Sequence, residues 1–230
     1  MPREITKTIY TFRELLDLHK AGTATSKAID KAREWLRQAA TDGEWYEFTT
    51  DTWKEAMAQI GFTDAKIAFT GFWSQGDGAS FTANIDVDKL ADFLATKIEP
   101  SKTIAGEPED FRPWLADKAG AHKATKAKYR RLKALGDLLY PSKVERTSHQ
   151  YSHERTCRVT IEFNSTGRAD KVEKLLNEFE ADAEALRLAL CQALYNDLEE
   201  DYEGQTSDES LEEFAAGNDY TFTLAGTREG

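Results

Sequence analysis

One apolar stripe at helical spacing dominates the last third of the chain. It begins at Val172, ends at Leu198 and recurs every three or four residues, as on one face of an α-helix. The pattern predicts a single helix from about Ala169 to Glu203, long enough at about 1.5 Å per residue to cross a whole domain. The stripe suits the core of one chain and the interface of a homodimer equally well.

Elsewhere the period changes to two, which is typical of strands. Apolar residues alternate with polar ones from Ile67 to Trp73, and again from Phe81 to Ile85, on the two sides of a Gly-rich loop. These runs predict a β-hairpin, and a further alternating run begins at Cys157. Helices and strands come in blocks rather than as βαβ units. The predicted fold class is therefore α+β, with helices packed on a small antiparallel sheet built from hairpins and one long C-terminal helix.

Length and composition predict a single domain with a real core. The chain has 230 residues, of which 40% are hydrophobic, and we expect one α+β domain over residues 1–230. A proline-rich stretch marks a candidate subdomain break near residues 98–113. No apolar run is long enough for a membrane helix, and the charged N-terminus does not resemble a signal peptide. Two distant cysteines, Cys157 and Cys191, favour reduced thiols, although one disulfide is an alternative, and we expect a cytoplasmic protein.

Charge is distributed unevenly along the chain. The segment His122–Arg158 holds ten basic and three acidic residues, whereas Val159–Gly230 holds five basic and eighteen acidic ones. A predicted helix from about Ala121 to Leu139 carries most of the basic side chains, among them Arg130 and Arg131. The acidic last third argues against duplex DNA as a partner. The pattern fits a small anionic ligand, a basic protein partner, or mutual neutralisation of the two segments.

A short segment in the predicted hairpin, FWSQGDGASF (72–81), combines rings, glycines and polar groups, and we call it the box. Trp73 and Phe72 offer faces on which a planar ring can stack. Asp77 can accept hydrogen bonds from sugar hydroxyls, and the neighbouring Ser74 and Gln75 supply mixed donors and acceptors. This composition suits a nucleoside or a sugar.

The same segment has a purely structural interpretation. Gly76 and Gly78 permit positive φ angles and close approach to the backbone, by a ligand or by a tight turn. In the turn interpretation the Asp-Gly pair sets the bend. Alternation then places Trp73 on the core face with Ile67 and leaves Phe72 as the freer ring.

The histidines of HQYSH (149–153) are the second candidate group. On one continuous strand, His149 and Cys157 would each lie about 13 Å from His153, which is too far for all three to bind a single metal ion. A turn would make the two histidines neighbours, but no fourth ligand is evident, and we predict no metal and no cofactor. A general acid–base pair of a histidine with Asp77 requires the two hairpins to meet. The alternative is surface histidines near a turn.

Two further features complete the candidate site. Trp45, in EWYE, is a candidate aromatic wall, and the basic helix is a candidate source of cations for a phosphate. A buried helix entry and a solvated helix face are the respective alternatives. The predicted ligand-binding residues are Phe72, Trp73, Ser74, Gln75, Asp77, Tyr151, His149, His153, Trp45, Arg130 and Arg131.

The motifs of this chain resemble those of a family of tailed-phage and prophage accessory proteins, some of which carry an antitoxin-like label. The resemblance rests on IAFTGFWSQGDGASF, with its GFWSQGDG core, on the HQYSH segment and on the TSDESLEEFAAGNDYTF ending. It implies a phage-encoded protein that acts in the bacterial cytoplasm against a host defence.

Together these features lead to one functional hypothesis and two alternatives. The first is non-catalytic binding that sequesters a nucleotide-type ligand. The second is an acidic protein–protein inhibitor or antitoxin that blocks a host defence enzyme. The third is a small hydrolase that uses His149, His153 and Asp77.

Overall fold

The computed structural model describes residues 7–102, 110–120, 126–138, 141–148, 150–163 and 170–229. The chain forms two compact units, one from residues 1–47 and 200–230 and the other from residues 48–199. The single domain predicted from the sequence stays a prediction, and residues 103–109 of its candidate break lie outside the described ranges. Helices combined with two small antiparallel sheets make the fold α+β, as predicted.

The first unit contains three helices and a small sheet. Its elements are β1 (Tyr10–Thr11), α1 (Phe12–Lys20), α2 (Ser26–Ala40), and, after the longest helix, α7 (Asp208–Gly217), β6 (Thr221–Phe222) and β7 (Arg228–Glu229). The strands pair antiparallel in the order β1-β6-β7. At the start of α1, the Thr11 side chain accepts from the Glu14 N–H while Glu14 accepts from the Thr11 N–H, which is a capping box.

Aromatic and aliphatic side chains from both ends of the chain form the core of this first unit. Phe12, Ile29, Leu36, Leu211 and Phe222 are among its buried members. The N-terminal helices and the C-terminal strands therefore fold together, although nearly 200 residues separate them in sequence.

The second unit is built around a four-stranded antiparallel sheet. Its strands are β2 (Phe62–Thr70), β3 (Gly78–Ile85), β4 (Ser142–Arg146) and β5 (Cys157–Thr160), in the order β2-β3-β4-β5. The predicted hairpin is confirmed, since β2 pairs with β3 from Phe62↔Ile85 to Thr70↔Gly78. We call β4, β5 and the residues between them the second hairpin.

Within the described residues, four helical segments longer than three residues precede the long helix of the second unit. They are α3 (Glu47–Gln59), α4 (Val87–Ala95), α5 (Arg112–Lys118) and a 3₁₀ helix (Ala127–Leu138). The basic helix predicted from about Ala121 to Leu139 is thus a 3₁₀ helix in its described part. Of its basic residues, Lys126 binds Asp182 and Lys128 binds Glu178, so part of its charge is neutralised by the long helix.

The predicted long helix is confirmed as α6 (Asp170–Gln205), with 36 residues. Its apolar stripe is buried at Leu176, Phe179, Leu190 and Leu198, among others. Both cysteines are free and buried. Within the ranges that the structure describes, no helix is long and apolar enough to cross a bilayer.

An ion pair on α6, formed by a buried arginine and a partly buried glutamate, fixes the edge strand of the sheet. The side chain of Arg187 is fully buried and donates to both carboxylate oxygens of Glu184, at 2.6 and 2.9 Å. Glu184 also accepts from the Val159 N–H of β5 at 2.9 Å, so it covers a backbone donor on the open edge. Arg187 donates in addition to the carbonyl of Glu154 at 2.8 Å.

The protonation of Glu184 follows from these contacts. Burial disfavours its charged form, but the hydrogen bonds from Arg187 and the Val159 N–H outweigh burial, so the pKa of Glu184 lies below its usual value. A carboxylate of lowered pKa stabilises the fold above its unfolded-state pKa of about 4.3. That stabilisation disappears as the pH falls through the folded-state pKa.

We therefore expect Glu184→Ala to lower the free energy of unfolding at pH 7 by about 3 kcal/mol, because it leaves the Arg187 charge buried without its partner. Urea denaturation at pH 7 and pH 3 measures the effect. The difference from wild type should shrink at pH 3, below the unfolded-state pKa of about 4.3, because the unfolded chain then gains stability by binding a proton at Glu184. Glu173→Ala, at an exposed position of the same helix, is the control and should change stability by no more than about 0.5 kcal/mol. An equal effect of both substitutions would contradict the prediction.

Candidate ligand-binding site

The loop between β2 and β3, residues Gly71–Asp77, carries most of the box, and we call it the binding loop. It is closed by Asp77, whose N–H donates to the Ser74 carbonyl at 3.1 Å and whose carboxylate accepts from the Ser74 N–H at 2.6 Å. Both carboxylate oxygens also lie 3.3 Å from where a Cβ on Gly71 would be. Asp77 therefore faces the backbone of its own loop, whereas Ser74 and Gln75 are exposed at its tip.

Trp73 is the most unusual residue of the binding loop. Its φ angle is 69°, in the left-handed region that bulky residues rarely adopt, and 67% of its surface is exposed. The interpretation that places Trp73 in the core and leaves Phe72 free is wrong. Strand β2 ends at Thr70, so the alternation of the strand does not extend to Trp73.

Phe72 is the inward-facing ring of the loop. Its ring centroid lies 5.5 Å from that of Tyr195 on α6 and 6.3 Å from that of Phe69. The backbone N–H of Trp73 lies close enough to the Tyr195 hydroxyl to influence it. Burial raises the pKa of Tyr195, and this N–H partly opposes the shift. Tyr195 thus contacts both the side chain before Trp73 and the backbone of Trp73.

The second hairpin meets the binding loop at the two glycines of the box. A Cβ on Gly76, whose φ is 94°, would lie 3.2 Å from the Tyr151 ring. A Cβ on Gly78 would lie 2.5 Å from the Cβ of His153 and 2.8 Å from its Cα. The glycines therefore serve close packing of one hairpin on the other, and they bring Tyr151 and His153 to the loop.

The 151–153 segment is fixed by short contacts of its own. Arg146 donates to the Ser152 hydroxyl at 2.8 Å and to the Tyr151 carbonyl at 3.4 Å. The rings of Tyr151 and His153 stack, with centroids 6.0 Å apart and planes 29° from parallel. Tyr151 remains 45% exposed, so it presents a second ring at the Gly76 end of the loop.

His153 has a defined hydrogen-bonding role. Its Nδ1 atom accepts from the Arg155 N–H at 3.2 Å, in the 3₁₀ turn Glu154–Thr156. Nδ1 must therefore be unprotonated, which places the proton of the neutral ring on Nε2. His149 lies outside the described residues. Among those that are described, no three His, Cys, Asp or Glu side chains are placed to hold a metal ion.

The structure does not bring Arg130 and Arg131 to the binding loop. They are exposed on the 3₁₀ helix, whose Tyr129 donates to Asp182 of α6. Tyr195 follows Asp182 by thirteen residues on α6, which is about 20 Å along the helix axis. The two arginines and the aromatic rings of the binding loop therefore lie next to different parts of α6.

Trp45 belongs to the first unit, whereas the binding loop belongs to the second. Its ring packs edge-on against Tyr46 and Tyr202, and its carbonyl accepts from Gln205 at 3.3 Å. The residues that sequence reasoning missed are Tyr195, Arg146 and Arg155. Tyr195 lies among the apolar positions of α6, where the sequence alone does not distinguish it from a core residue. Arg146 and Arg155 flank a turn whose position the sequence does not define.

Comparison with known proteins identifies the family of this chain. A family model described as a domain of unknown function (DUF8835) matches residues 45–208, well over half of the chain. The chain belongs to that family, and the match includes the binding loop and the second hairpin. The chain has no match among curated proteins or solved structures.

The packing at Gly78 predicts a specific loss of stability. Gly78→Ala should lower the free energy of unfolding by about 2 kcal/mol, because its Cβ collides with the backbone of His153 and the hairpins must separate. Gly43→Ala is the control, since a Cβ there meets no atom within 4 Å. Urea denaturation of both variants checks the prediction. An unfolding free energy of Gly78→Ala equal to that of Gly43→Ala would show that the hairpins do not touch at this point.

Proposed function

We propose that this member of the DUF8835 family is a non-catalytic binding protein that holds a nucleotide-type ligand on the binding loop. The observation that carries the proposal is Trp73, a large ring displayed to solvent on a strained backbone. A residue held in the left-handed region costs about 1–3 kcal/mol, and such strain concentrates at functional sites. Exposing most of a Trp ring also forgoes the free energy of burying it.

Contacts of the neighbouring residues hold Trp73 in position, and its ring centroid lies 5.7 Å from that of Phe72. Asp77 closes the loop, and Phe72 anchors it on Tyr195 of α6. The free-energy costs of the strained backbone and of the exposed ring are offset if a ligand packs on the ring. Stacking of a base on an aromatic side chain is worth about 1–3 kcal/mol.

The groups next to Trp73 suit the rest of a nucleoside. Tyr151 provides a second exposed ring against Gly76, and the side chains of Ser74 and Gln75 supply both donors and acceptors at the loop tip. Asp77 and His153 support these groups through their local hydrogen bonds. Two rings with a polar edge between them form a binding surface for a planar, polar ligand.

The biological role that we propose is that of a phage accessory protein that sequesters a nucleotide signal of a host defence in the bacterial cytoplasm. The support is the resemblance of the box, the HQYSH segment and the C-terminal motif to phage accessory proteins. Sequestration needs a binding surface and no turnover.

A protein partner is the second candidate, and one observation favours it. Exposed Trp, Tyr and Arg side chains, here Trp73, Tyr151 and Arg155, are the residue types that dominate the centres of protein interfaces. An inhibitor of this kind would bind a host enzyme stoichiometrically. Pull-down from host lysate separates the candidates. The wild-type protein would retain a protein partner at low salt, and the Trp73→Ala variant would not.

Trp73→Ala should weaken nucleotide binding about tenfold or more, because it removes the stacking surface. Calorimetry with a panel of cyclic and ADP-ribose-type nucleotides measures the affinity, and urea denaturation shows that the variant folds. Phe48→Ala, which removes another exposed aromatic ring of the same unit, is the control and should bind like wild type. Absence of binding heat from every nucleotide with the wild-type protein would overturn the proposal.

A further inference from the structure

The 3₁₀ turn Glu154–Thr156 places a cation next to the binding loop. His153 touches Gly78, and Arg155 follows His153 by two residues, a backbone distance of at most about 7.6 Å. The Arg155 side chain is 83% exposed. The sequence instead drew attention to Arg130 and Arg131, which lie elsewhere on the second unit.

The carboxylates near Arg155 leave it available to a ligand. Its neighbour Glu154, whose side chain is 31% exposed, lies 3.5 Å from the guanidinium and 3.9 Å from the His153 Nδ1 atom. Ion pairs with an exposed partner such as Arg155 contribute little because water screens them. Asp77 is turned into its own loop by the Ser74 N–H. A guanidinium binds a phosphate through two parallel hydrogen bonds, which a single carboxylate at this distance does not match.

His153 adds a neutral donor beside this guanidinium. The Arg155 N–H occupies Nδ1, so the proton lies on Nε2 and that atom can donate to an anion. One short segment therefore offers a guanidinium and a ring N–H next to the aromatic surface of the loop.

We infer that the ligand of the binding loop is anionic and that Arg155 and His153 hold its phosphate, while Trp73 and Tyr151 stack on its base. This inference rests on the proposed function and deepens it, because it assigns the ligand class to nucleoside phosphates. Arg146 is a positioning residue in this site, since it holds Tyr151 and Ser152 in place through its hydrogen bonds.

The test compares each of four nucleosides with its 5′-monophosphate by calorimetry, because the two differ only in the phosphate. We expect the monophosphate of the preferred base to bind wild-type protein at least about tenfold more tightly than the nucleoside. Arg155→Ala should remove this preference and leave the nucleoside affinity unchanged, and Arg155→Lys should restore part of it. Arg158→Ala, at an exposed position on β5 of the same hairpin, and Arg131→Ala are the controls and should retain the full preference.

The outcomes distinguish this inference from the proposal beneath it. Binding of nucleosides and monophosphates with equal affinity would overturn the anion site and leave the stacking site standing. A preference removed by Arg131→Ala and kept by Arg155→Ala would assign the phosphate to the 3₁₀ helix Ala127–Leu138. Binding of neither class would overturn the proposed function together with this inference.

Discussion

The buried guanidinium of Arg187 is the interaction on which the second unit depends. A charge without access to water must be satisfied in place, and Arg187 is satisfied by Glu184 and by the carbonyl of Glu154. Through Glu184 it covers the edge of β5, and through Glu154 it holds the 3₁₀ turn that follows His153. A charged residue in the core therefore helps to position the second hairpin.

One face of α6 contacts both the second hairpin and the binding loop. Arg187, Cys191 and Tyr195 are spaced by four residues and so lie on the same side of the helix. The first donates to the backbone of the second hairpin, the second is buried, and the third packs on Phe72 of the binding loop. The loop and the 3₁₀ turn are positioned by a single rigid element, which is the arrangement that a preformed binding surface needs.

The sequence predicted the parts of this fold that follow from periodicity. The stripe of α6, the β2–β3 hairpin and the cap of α1 depend on local spacing, and local spacing is visible in one chain. The position of Trp73 was not predictable in this way, because alternation holds only while the strand continues and β2 ends three residues earlier. Arg155 was missed for a related reason, since its place beside Gly78 depends on a contact between hairpins that are some 70 residues apart in sequence.

The glycines of the box also change the argument about function. From the sequence they are equally suited to a ligand and to a turn, but the structure uses both for the approach of Tyr151 and His153. Asp77 is likewise occupied by the turn. The side chains of the box that remain exposed are Trp73, on its strained backbone, and Ser74 and Gln75 at the loop tip. Structural needs account for the glycines and for Asp77, so the proposed ligand site depends on these three side chains of the loop and, for a phosphate, on the second hairpin.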